Sequence, residues 1–109
     1  MNGILRGTTP DFVITVKKED FAVKDVTKLE ITVWNGSTVT QYGLEDVTTD
    51  TEANTFGIHF SEEFTLALEA SKSFRWQMRC MFEDGNIVGT PISDPIDVSP
   101  LKSSEVMSG

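Results

Sequence analysis

The chain has 109 residues, 39% of them hydrophobic and 24% charged, with a net charge of −8. That length suits one domain burying about 65% of the surface its unfolded chain exposes, enough for a single sandwich or barrel core but little room for a deep catalytic cleft. The acidity argues against a binder of phosphate backbones: no Lys or Arg lies between Lys28 and Lys72, while that interval carries Glu30, Glu45, Asp46, Asp50, Glu52, Glu62, Glu63 and Glu69.

Met1 to Gly7 has no sustained apolar run, so no signal peptide is expected, and no stretch is long and apolar enough to span a membrane. The one cysteine, Cys80, cannot close a disulfide within the chain, which suggests synthesis in a reducing cytoplasm. A single domain over 1–109 is expected, with loose ends at 1–9 and 99–109.

Arg6-Gly7-Thr8-Thr9-Pro10 reads as a loop entering a first strand, where Phe12, Ile14 and Val16 alternate. Pro10 cannot donate to a ladder, so this strand belongs at an edge. Lys17 to Asp20 is a charged turn, and Phe21, Val23 and Val26 are scattered through a polar stretch. From Lys28 to Asn35 the alternation returns, with Leu29, Ile31 and Val33 inward and Glu30, Thr32 and Trp34 outward. Asn35-Gly36 signals a tight hairpin returning over Ser37–Leu44, where Thr38, Val39, Thr40 and Tyr42 favour strand.

Glu45–Asn54 is acidic, Thr-rich and without apolar periodicity beyond Val47, and reads as a loop, with a short irregular strand as the alternative. Its acids could collect around a cation, although they lack the spacing and glycine of an EF-hand. Phe56, Ile58 and Phe60 mark another strand. Ser61 then caps a short helix with Glu62 and Glu63 in its first turn.

From Ser73 onward Phe74, Trp76, Met78, Cys80 and Phe82 alternate with Arg75, Gln77, Arg79 and Met81, the pattern of a long strand with one buried face. Asp84-Gly85-Asn86 turns it back onto a short partner at 86–90. Pro91 to Val98 completes the set with Ile92, Ile96 and Val98. About seven strands and at most one short helix indicate an all-β fold, an antiparallel sandwich of immunoglobulin-like architecture, with a small barrel as the alternative.

Few residues suggest chemistry. His59 is the only histidine and falls on the solvent side of its strand; Cys80 falls on the apolar side of another, so strand parity opposes a Cys–His pair. No catalytic, cofactor-binding or metal-binding set is assigned. A contact surface is a better reading. Trp34, Tyr42 and Met81 lie opposite the main apolar sets, and Arg75, Gln77 and Arg79 form the outward row of the long strand. Trp34 and Tyr42 could instead stack on a sugar, which gives the alternative of a carbohydrate- or protein-binding adhesion module.

Several pieces in order, Arg6-Gly7-Thr8-Thr9-Pro10, Phe60-Ser61-Glu62-Glu63-Phe64-Thr65-Leu66, Gln77-Met78-Arg79, Asp84-Gly85-Asn86 and Thr90, resemble a family of short proteins encoded among the virion genes of phages and prophages of gut Firmicutes. The resemblance spans most of residues 6–98. It implies a non-enzymatic structural protein of the tail or baseplate with a β-sandwich fold, located in the virion. Its partners would be other virion proteins or further copies of itself; the acidity, the lack of a long apolar run and the lack of a cofactor motif separately lead to the expectation of no nucleic acid, membrane insertion or cofactor. The resemblance supplies no list of site residues.

Overall fold

A computed structural model describes residues 4–90, 93 and 96–99. Alternation of apolar and polar residues builds the strands, and turn chemistry sets their pairing. The elements are β1 (Ile4–Leu5), β2 (Asp11–Thr15), β3 (Val26–Asn35), β4 (Thr38–Tyr42), β5 (Thr48–Asp50), β6 (Thr55–His59), α1 (Glu62–Leu66), β7 (Phe74–Phe82), β8 (Ile87–Gly89) and β9 (Val98–Ser99). One antiparallel sheet runs β2-β6-β5 and the other β4-β3-β7-β8. These orders match the B-E-D and C′-C-F-G strands of an immunoglobulin-like sandwich. The short parallel pair β1-β9 adds a third, two-stranded ladder.

The inner faces carry the expected residues. Phe12 and Ile14 from β2, Phe56 and Ile58 from β6, Leu29, Ile31 and Val33 from β3, and Phe74, Met78 and Cys80 from β7 are all buried. Antibody domains join strands B and F by a disulfide. Here β2 and β7 meet through aromatic rings instead: Phe12 lies 6.0 Å from Phe74 and 5.8 Å from Trp76, edge to face, and stacks on Phe60 at 5.6 Å. Such pairs add about 0.5–1.5 kcal/mol each beyond the area they bury.

The hairpins differ from the expected turns in detail. Asn35 is the last residue of β3, paired with Thr38, so the β3-β4 loop is Gly36-Ser37, with Gly36 at φ +59°. The side chain of Asn35 turns inward and donates to the carbonyls of Glu69, Lys72 and Ser73. The β7-β8 hairpin uses Glu83-Asp84-Gly85: Gly85 N–H donates to Phe82 O and Phe82 N–H to Asn86 O. Gly85 sits at φ +87°, the left-handed residue that closes a three-residue loop. Ser61 caps α1 as expected, its hydroxyl accepting from Phe64 N–H at 3.1 Å.

Two expectations change. Part of the acidic stretch at 45–54 is strand β5, an exposed edge paired with β6. Of the ends expected to be loose, Ile4 is buried and its N–H donates to Asp97 O at 2.8 Å. The strand expected at 91–98 lies partly outside the described residues; what is described there is the bridge of Phe74 to Ile96 and then β9.

Candidate contact face of the four-stranded sheet

The register of the larger sheet decides which candidate residues meet. Trp34 lies opposite Val39 on one side and Arg75 on the other; Thr32 lies between Gln41 and Gln77; Glu30 is opposite Arg79; and Met81 lies between Lys28 and Ile87. Directly opposed residues in an antiparallel pair share a face. Trp34, Arg75, Gln77, Arg79 and Met81 therefore stand together on the outer face, as the sequence led us to expect.

Tyr42 does not join them. It is opposite Ile31, whose side chain is fully buried, and so faces the core. Its ring lies 6.1 Å from Phe60 and 6.4 Å from Phe64. Burial, and then the Asp46 carboxylate, raise its pKa above the ordinary tyrosine value. Pairing with β3 through the Gly36-Ser37 turn sets the parity of β4, and Val39, the only aliphatic residue of that strand, is 62% exposed. Tyr42 is thus core lining, and Val39 takes its place on the outer face. Trp34 and Tyr42 face opposite ways and cannot jointly stack on one sugar.

The outer face has internal structure. Arg79 Nη2 reaches the Glu30 carboxylate at 3.1 Å across the strands. The pair stands well into solvent, so it orients Arg79 more than it stabilises the fold. Arg75 Nη1 donates to Ser93 O at 3.2 Å, and Gln77 Nε2 to Thr90 O at 3.0 Å. A shallow depression of about 240 Å³ lies between Lys28, Glu30, Arg79, Met81 and Ile87. A second, of about 580 Å³, continues past Thr32, Gln77 and Thr90. Ile87, 56% exposed, edges both and was missed because a short edge strand has too few residues to show its parity.

The reactive side chains lie elsewhere. His59 Nδ1 is 2.7 Å from Asp11 Oδ1 on the outer face of the smaller sheet, with both side chains mostly exposed. Cys80 is on the inner face of the larger sheet, and burial pushes its thiol up to about 11. The two residues belong to different sheets, in line with their strand parities. In the acidic stretch, Asp46 accepts from Gly43 N–H and Asp50 from the N–H groups of Glu52 and Ala53. Among the described residues no group of three or more His, Cys, Asp or Glu is placed to hold a metal ion. Nor is any described helix long and apolar enough to cross a membrane.

Four of the pieces that carry the resemblance touch in two pairs. Gly7 N–H donates to Thr65 Oγ1, which in turn donates to Thr8 O, and Arg6 Nη2 donates to Leu66 O. Likewise Thr90 Oγ1 accepts from Met78 N–H, and Thr90 N–H donates to Met78 O. These contacts hold turns and edges in place. Comparison with known families, curated proteins and solved structures returned no match.

Proposed function

We propose that the chain is a non-enzymatic structural component of a phage or prophage particle, of the tail or baseplate, acting through protein–protein assembly. The observation that carries the assembly reading is the grouping of Trp34, Arg75, Arg79 and Met81 on one sheet face, with the exposed side chains of Val39 and Ile87 at its margins. Aromatic residues, Met and Arg are the types enriched where proteins dock, and a regular sheet presents them without rearrangement. The assignment to a virion rests on the motif resemblance. On this reading the protein is made in the bacterial cytoplasm and carried in the particle, where it contacts other virion proteins or copies of itself.

The test is mass spectrometry of particles purified after induction of the strain that carries the gene. The chain is expected in the particle at a fixed ratio to the other tail proteins. Particles that form normally without it would overturn the reading.

A further inference from the structure

The β2 edge of the smaller sheet carries an inference independent of the virion reading. Phe60 N–H donates to Pro10 O at 3.0 Å, and Val16 N–H to Asn54 O at 2.9 Å. Backbone groups alternate sides along an antiparallel strand, so Pro10, Phe12, Ile14 and Val16 direct theirs toward β6. Asp11, Val13 and Thr15 direct their N–H and C=O groups the other way. Among the described residues no strand pairs with β2 on that side. The side chains of these same residues stand on the outer face, and Val13 is 55% exposed because its neighbour across the ladder is Gly57.

We propose that this edge joins two copies of the chain, β2 against β2, antiparallel about a two-fold axis at Val13. The smaller sheets then merge into one continuous six-stranded sheet, three strands from each copy. In this register Val13 faces Val13 of the second copy and Asp11 faces its Thr15. Every outward N–H and C=O of the three residues finds a partner. Lys17, two residues beyond Thr15, comes diagonal to Asp11 of the other copy, and symmetry repeats this opposite-charge contact. Neighbouring registers are worse. Centring on Asp11 sets two carboxylates face to face; centring on Thr15 sets Val13 against Lys17 and runs Asp11 into the turn at 18–20. The net charge of −8 on each copy opposes association over long range, so the contact is to be measured near 0.15 M salt, where charges beyond about 8 Å are largely screened.

The test is sedimentation velocity of the full chain over a concentration series, with variants. Val13→Pro removes an outward N–H that β6 does not use and is expected to be monomeric. Lys17→Glu is expected to lose about tenfold in dimer affinity, and Asp11→Lys with Lys17→Glu to regain it. Val13→Cys is expected to form a disulfide-linked dimer on mild oxidation, because opposed Cα atoms at such a position lie about 5.5 Å apart, within disulfide reach. A wild-type chain monomeric at every concentration overturns the proposal. So does a dimer that persists in Val13→Pro, or one in which the Val13→Cys variant does not cross-link. If Val13→Pro fails to fold, cross-linking of the Val13→Cys variant decides.

Discussion

Asn54 fastens the end of β2 and the 21–23 stretch with one carboxamide. Its Oδ1 accepts from Val23 N–H at 2.8 Å, and its Nδ2 donates to Val16 O and Phe21 O at 2.9 Å each. It is buried, and its backbone holds φ +59°, a conformation Asn tolerates better than residues with bulkier or β-branched side chains. Asn54→Ala leaves buried groups unpaired and adds left-handed strain, so it is expected to cost about 3 kcal/mol. Asn54→Gly keeps the backbone free and loses only the side-chain bonds; in urea titration it should retain about 1 kcal/mol more than the alanine variant. Equal losses for the two would mean that the backbone conformation contributes nothing. This role could not be read from the sequence, where Asn54 stood at the end of a polar stretch. Asn35 was likewise read as a turn residue, because Asn-Gly is so often the turn itself. Its side chain is instead fully used in bonds to the 69–73 loop.

At the scale of elements, what was legible was whatever buries one face. β2, β3, β6 and β7 all show alternation in which every second residue is apolar, and their inward sets came out as read. β5 offers only Thr48, Thr49 and Asp50, all exposed, so nothing in its hydropathy marked it as a strand; pairing to β6 alone makes it one. β4 shows the complementary error: its register with β3, set through the Gly36-Ser37 turn, turns Tyr42 inward where an outward side chain was expected. Turn residues located both hairpins, although each loop is shifted by one residue from the expected turn. Gly85, at φ +87° with open space where a Cβ would sit, is required for its backbone alone. Gly85→Ala is therefore expected to cost about 1–2 kcal/mol in thermal or urea unfolding, and Gly85→Asn less. No loss on Gly85→Ala would show that the loop adopts another turn.

For the molecule as a whole, the two sheets have different outer faces. The smaller one carries the exposed Asp11–His59 pair, Val13 and Gly57, and the larger one carries Trp34, Arg75, Arg79, Met81 and Ile87. The second set was legible as a surface because long strands fix parity over many residues; its exact membership depended on pairings that no local pattern reveals. Docking through this face is what the proposed role requires. Trp34→Glu places a charge at its half-buried aromatic and should change the isolated domain's stability by no more than about 1 kcal/mol, since the core residues lie on the other side of the strand. The decisive measurement is the fraction of Trp34→Glu chain in particles assembled when it is produced together with wild type. The expected result is near-exclusion of a variant that folds normally. Incorporation in proportion to its supply would contradict the assignment of this face to assembly.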